Sequence, residues 1–329
     1  MDRSERSESN ARECLFERAL ELAERGRGST RPNPVVGALV VSDNEVAGEG
    51  WHERAGGPHA ELAALESAGQ RARDATLFVT LEPCCFSGLT GPCTEAILAA
   101  GVGKVVVGAI DPNPRVSGQG IERLREGGVE VELLEGEQAF RARQQNEAWR
   151  TWIGKGRPFV TYKVAATLDG RVNVRGSRWV SGEASRRFVH ELRAAVDAVA
   201  VGMGTVHSDQ PRLDARDVDA TRQPRRLAFG SGPLPPGSEL ELRTGPLVEE
   251  LSQLAAEGVQ SLLLEGGPTL ATAFAEAGLI DKLLVFVAPH LAGAGPRLLG
   301  DLTHPLRLSR LTAEPFSEDI LLSAYLNEP

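Results

Sequence analysis

Short apolar strands alternate with segments of helical spacing through both halves of this 329-residue chain, and that alternation admits few architectures. In "ARECLFERALELAERG", Leu15, Ala19, Leu22 and Ala23 fall on one helix face, and Gly26 stops the helix. "VVGALVV" and "EVAGEGW" are strands around the turn "SDNE". "HAELAALESAG" is a helix closed by Gly69, "ATLFVTL" a buried strand, "CTEAILAAG" a helix and "KVVVGAI" a strand. "GIERLREGG" and "VEVELL" repeat the helix–strand unit, so the first half is expected to be a three-layer α/β domain. Residues 136–156, "GEQAFRARQQNEAWRTWIGKG", read as one polar helix running to Gly154 and Gly156, and the boundary is placed there, giving domains 1–150 and 151–329. The second α/β series starts at "PFVTYKVA" and continues through "DAVAVG", "RRLAFG", "SLLLEGG" and "KLLVFVAP". "DILLSAYL" is expected as an edge strand, and "GSGPLPPGSELELRTGP" as a surface loop.

A net charge of −9 provides no global attraction for nucleic acid or anionic lipid, so a phosphate-bearing ligand must be held by local arginines and lysines. No apolar run approaches the roughly 20 residues that span a bilayer. The charged start "MDRSERSESNARE" has no apolar signal-peptide core, and a cytoplasmic location is expected.

Three of the four cysteines crowd into "LEPCCFSGLTGPC", which is no disulfide framework. His59, Cys84 and Cys93 make a three-ligand zinc site with an open fourth position, as catalytic zinc requires. Cys93 opens a helix behind Pro92, where thiolate is favoured over thiol. Glu61, two residues after His59, is the non-ligating carboxylate that can shuttle protons. His-x-Glu followed by Pro-Cys and a further Cys is the signature of zinc-dependent nucleobase deaminases, here with eight residues between the cysteines in place of two. The alternative is a closed structural knuckle with Cys85 as fourth ligand, which leaves Glu61 without a purpose.

"RPNPVVG" holds Asn33 between two prolines ahead of a strand, a place from which it can hydrogen-bond a base; a plain turn is the other reading. "DPNP" at 111–114 is a second turn at a strand end, where α/β ligands tend to sit. "GVGKVVVG" lacks the spacing of a phosphate loop and is a helix stop and a strand.

Through "PNPVVG…HAE…TLEPC…C…DPNP" and then "YKVAATLDGR", "RWVSG", "HELRAAVDAVAVGMGTVHSDQPRL" and "LLLEGGPTL", the chain closely resembles the bifunctional deaminase–reductases of riboflavin biosynthesis. The resemblance implies a cytidine-deaminase-like three-layer domain followed by a dihydrofolate-reductase-like α/β domain. It implies zinc-dependent deamination of a phosphorylated diaminopyrimidine riboside, then NADPH-dependent reduction of its ribosyl group to a ribityl chain, in a homo-oligomer. Carried over by position, Lys163, Ser177, Arg193, Leu213, Arg216 and Glu265 would line the reductase substrate, and Ala165, Trp179, Thr205, Asp209, Ser231 and the loop from Gly267 would meet NADPH. Arg193 and Arg216 have the chemistry to grip a phosphate, and the glycines at 266 and 267 let backbone amides approach one.

Two departures stand out. Phe86, Leu89 and Gly91 replace the histidine, basic residue and proline usual in the family, groups expected to help hold the ribose phosphate. Between 232 and 250 the chain is shortened and is expected to lack a strand, with Gly230 at a position where aspartate is common. An enzyme retaining one of the two activities, a non-catalytic zinc- and nucleotide-binding protein, and a deaminase of free bases or RNA are the competing readings. The purposeful Glu61 argues against the second, and the net charge and long second half argue against RNA.

Overall fold

The computed structural model describes residues 3–86 and 91–329, with side chains from Asn10 onward; Leu89 lies outside the described residues. The chain divides into two units, Met1–Lys155 with Pro329, and Gly156–Glu328.

In the first unit, a five-stranded sheet has the order β2-β1-β3-β4-β5, from β1 (Gly37–Ser42), β2 (Glu45–Trp51), β3 (Thr76–Val79), β4 (Lys104–Val107) and β5 (Glu130–Leu133). β1 pairs antiparallel with both β2 and β3, and β3, β4 and β5 run parallel. Successive side chains alternate between two cores, as the pleat requires. Ala38, Val40, Leu77, Val79, Val105 and Val107 pack under α2 (Ala60–Ala68), α3 (Cys93–Ala100) and α4 (Gln119–Glu126). Leu39, Val41, Phe78 and Val106 pack against Phe16, Leu20 and Leu22 of α1 (Arg3–Glu24) and Ala142 of α5 (Gly136–Gln145). This is the expected three-layer arrangement. Gly50 lets α2 lie against β2, since a Cβ there would stand 2.4 Å from Ala60 O and Ala64 N.

The polar segment after β5 is two helices, α5 and α6 (Glu147–Lys155), and not the single helix expected. Asn146 interrupts it because its side chain is engaged elsewhere. Its Oδ1 accepts from Val35 N at 3.0 Å and its Nδ2 donates to Val35 O at 2.8 Å.

The second unit is built on an eight-stranded sheet of order β12-β13-β11-β6-β10-β7-β8-β9. Its strands are β6 (Phe159–Thr167), β7 (Ala198–Gly202), β8 (Arg225–Phe229), β9 (Glu241–Arg243), β10 (Ser261–Leu264), β11 (Lys282–Ala288), β12 (Ser309–Phe316) and β13 (Asp319–Tyr325). From β11 to β9 the strands are parallel, and β13 and β12 join antiparallel. Ala198, Ala200, Leu227, Phe229, Leu262 and Leu264 face α9 (Leu247–Ala256) and α10 (Pro268–Glu276), while Val199, Val201, Ala228 and Leu263 face α8 (Met203–Asp209) and α7 (Glu183–Ala195).

Two expectations are corrected here. "DILLSAYL" is an inner strand, because β12 covers it and takes the edge. The segment 232–250 is not strandless: β9 pairs with β8 through Leu227–Glu241, Ala228–Leu242 and Phe229–Arg243, and Arg243 is tied to Glu250 and Glu257.

Candidate active sites

Each unit has a large cavity at the carboxyl ends of its parallel strands, where open α/β sheets bind ligands. In the first unit the cavity measures about 380 Å³. His59 stands immediately before α2, Cys84 on the loop after β3, and Cys93 at the first position of α3 behind Pro92. His59 Nδ1 is 3.1 Å from Cys93 Sγ and 3.6 Å from Cys84 Sγ, and the three donor atoms lie within 4.8 Å of one another. One imidazole nitrogen and two sulfurs are a zinc donor set, and nothing else among the described residues completes a fourth corner. The neighbouring Cys85 is turned away, its thiol directed at Arg115 O at 3.7 Å.

Cys84 is held as thiolate, its pKa lowered to about 4 by a hydrogen bond from the Cys93 thiol and by His59. Cys93 is pushed up, because its proton is shared with that thiolate and the group is buried. A dication would displace the shared proton.

Glu61 lies in the first turn of α2 and lines the cavity while only 3% exposed. Burial pushes its carboxyl up to about 7, which suits a group that must both hold and release a proton near neutrality. Asn33 also lines the cavity. His52 Nδ1 donates to Pro58 O at 2.9 Å, so its Nε2 is the acceptor facing Asn33 Nδ2 at 3.4 Å. The Asn33 carbonyl is thereby left for a ligand. Burial lowers the His52 pKa and keeps the ring neutral in that role.

Several cavity residues were not apparent from the sequence. Buried Glu82 accepts from Asp111 N, Gly118 N, Gly120 N and Ile121 N at 2.9–3.3 Å, fastening the loop after β4 to the loop after β3. The "DPNP" turn, by contrast, was read from the sequence as a place where ligands sit, and it supplies Asp111 and Asn113 to the cavity wall, with burial raising the Asp111 carboxyl to about 6. Trp149, Trp152 and Ile153 of α6 close another wall. All three sit in the segment expected to be a polar linker helix.

The second unit's cavity measures about 720 Å³, and Lys163, Ala165, Trp179, Arg193, Thr205, Asp209, Arg216, Glu265 and Gly267 line it. Gly267 is the N-cap of α10, and a Cβ on it would stand 3.4 Å from Thr205 Oγ1. Its backbone and the Thr205 hydroxyl thus share one wall open to phosphate groups, which fits NADPH.

At the centre Arg193 makes a fork to Glu265, with Nε–Oε1 at 2.6 Å and Nη2–Oε2 at 3.0 Å, and Lys163 Nζ is 3.8 Å from Glu265 Oε2. Burial alone would raise the Glu265 carboxyl, but Lys163 and Arg193 outweigh it and hold it below the usual range. Burial lowers the Lys163 pKa.

The structure places the remaining carried-over residues as follows. Arg193 spends its fork on Glu265, whereas Arg216 gives only Nη1 to Asp214, at 2.6 Å, and keeps its other N–H groups beside the cavity. Leu213 does not line the cavity: at 2% exposure and in a left-handed conformation it turns inward onto Val199, Val206 and Ala228. Ser177, bonded to Trp179 N and O at 3.2 and 2.7 Å, and Ser231, exposed after β8, also lie outside the lining. Conversely, Arg186, Arg187 and His190 line the cavity without having been singled out. Their helical spacing with Glu183 and Arg193 along α7 is the signal that could have found them.

Comparisons with known proteins bear on both cavities. The family described as "Cytidine and deoxycytidylate deaminase zinc-binding region" matches residues 9–109, and the "RibD C-terminal domain" family matches residues 158–322. The riboflavin biosynthesis protein RibD of Aquifex aeolicus is 39% identical, with 92% of this chain and 95% of that protein covered. The Escherichia coli protein of the same name is 38% identical over 87% and 89%. The solved structure of Acinetobacter baumannii RibD superposes with a TM-score of 0.81 at 36% identity, covering 96% of this chain and 99% of that one. A Thermotoga maritima structure described as a diaminohydroxyphosphoribosylaminopyrimidine deaminase/5-amino-6-(5-phosphoribosylamino)uracil reductase gives 0.80 at 34% identity, with 96% and 99% covered.

Proposed function

This chain belongs to the RibD family of riboflavin biosynthesis proteins, and from that premise we propose that its first unit deaminates a phosphorylated diaminopyrimidine riboside and its second reduces the product's ribosyl group. The chain is a bifunctional deaminase and reductase that uses zinc and NADPH. The observation that carries the site assignment is the convergence of His59, Cys84 and Cys93 in one cavity with a buried Glu61 whose carboxyl burial pushes up to about 7.

When bound, zinc supplies the Lewis acidity that makes water nucleophilic at neutral pH, and NADPH supplies the reducing equivalents. His59, Cys84 and Cys93 would hold the metal. Asn33, oriented by His52, accepts a ring N–H and sets the base's edge. Glu61 takes a proton from the attacking water and passes it to the departing amine; the carbon gains an oxygen, and ammonia leaves. The tryptophans of α6 exclude bulk water. In the second unit, Glu265 holds Arg193 and Lys163 in place, and Lys163, its pKa lowered by burial, can deliver a proton to the sugar oxygen as the ring opens. Gly267, Thr205, Ala165, Trp179 and Asp209 would hold the cofactor. The reading includes a cytoplasmic homo-oligomer, to be checked by light scattering. No helix among the described residues is long and apolar enough to cross a membrane.

The test is to supply the purified, zinc-loaded protein with the diaminopyrimidine phosphate, with and without NADPH. Ammonia should appear without NADPH, and NADPH should be consumed once deaminated product has formed. Ammonia release with no NADPH consumption would reduce the function to deamination alone.

A further inference from the structure

The acidic groups lining the first unit's cavity are Glu61, Glu82, Cys84 and Asp111, and neither lysine nor arginine is among the lining residues described. The functional reading, on which this inference rests, brings a phosphate into that cavity. Like charges within a few ångströms in a partly desolvated site repel strongly, so the phosphate belongs at the mouth, against a cation.

Arg115 stands there. Its neighbours Asn113 and Val116 line the cavity, and its backbone is held on both sides: N donates to Asn113 Oδ1 at 3.1 Å, and O accepts from the Cys85 thiol at 3.7 Å. Its guanidinium carbon lies 4.2 Å from the centre of the Phe86 ring, and Phe86 is itself a cavity wall. In the same unit Arg12, Arg18, Arg27, Arg123 and Arg141 each pair with a glutamate. Arg115 is exposed and pairs with no carboxylate among the described residues. Stacking occupies only the π face of a guanidinium. The in-plane N–H groups stay available for two phosphate oxygens, and the side chain loses less freedom on binding because the ring already restrains it.

We propose that Arg115, stacked on Phe86, binds the substrate phosphate at the mouth of the deaminase cavity and makes the deaminase selective for phosphorylated over dephosphorylated substrate. Arg150, another nearby cation, is half-buried and gives its Nη1 to Ile110 O at 2.6 Å. Arg54, beside the cavity glycines Gly56 and Gly57, serves as the control.

The experiment compares wild type, R115A, R115K and R54A, all zinc-loaded, for ammonia release from the diaminopyrimidine ribose phosphate and from its dephosphorylated form. Zinc content and NADPH-dependent reduction of deaminated product report that each variant is folded. In R115A the KM for the phosphorylated substrate should rise about ten- to a hundredfold, the range for a hydrogen bond to a charged group, with kcat within about twofold. The dephosphorylated substrate should be unaffected, R115K should fall between, and R54A should match wild type. An R115A that equals wild type on the phosphorylated substrate, or that loses both substrates equally, overturns the assignment, as does an R54A that carries the selective loss. A wild type that releases ammonia from neither substrate removes the functional reading, and this assignment with it.

Discussion

Glu61 and Glu265 are both buried glutamates on cavity walls, yet their carboxyls are driven in opposite directions. Among the described residues no arginine or lysine is bonded to Glu61, and burial pushes it up to about 7. Glu265 has Arg193 in a fork and Lys163 at 3.8 Å, and these outweigh burial and pull it down. The difference matches the roles proposed for the two residues. A carboxyl that exchanges protons must be kept from strong cationic partners, whereas one that positions cations must stay ionised.

Replacing each carboxylate breaks the comparison most severely. E61Q keeps the shape but cannot relay protons, and deamination should fall by about 10²–10⁴-fold. Zinc content by metal analysis and NADPH-dependent reduction of deaminated product should both persist; parallel loss of reduction would refute two independent sites. E265A leaves Arg193 and Lys163 as buried, uncompensated charges, and the second unit should lose about 3–5 kcal/mol in denaturant unfolding. Deamination should stay near the wild-type rate, and an unfolding midpoint that does not move would show the network to be energetically idle.

Acid sharpens the contrast. The Glu265 pKa in the folded protein lies below its ordinary 4.5, so its stabilisation is present above that value and is lost as pH falls through the folded one. Wild-type reductase unfolding should therefore steepen below about pH 4.5, and E265A should lack that component. The smallest effect is expected at Cys85, whose thiol faces Arg115 O. C85A should keep one zinc per chain, and chelation should abolish deamination while sparing reduction. Zinc content near zero in C85A would restore the four-ligand knuckle.

The alternation of strands and helices, the His59-x-Glu61 pair and Cys93 at a helix start were legible in the sequence because each is a local pattern: a period, a cap, a spacing. Residue type also favoured the reading in which Glu61, and not a fourth thiol, accompanies the metal donors, since a structural knuckle has no use for a carboxylate. What remained to the tertiary structure was everything fixed by partners distant in sequence. Asn146 splits a helix because Val35, 111 residues away, takes both of its side-chain hydrogen bonds. Leu213 packs into the core because a left-handed turn faces it inward. Arg193 and Glu265, 72 residues apart, consume each other's hydrogen bonds, so neither side chain's availability could be read from its own surroundings in the chain. Residue type sets what a group can do; the low-dielectric neighbours assembled by folding set its charge, its partners and whether it faces a ligand at all.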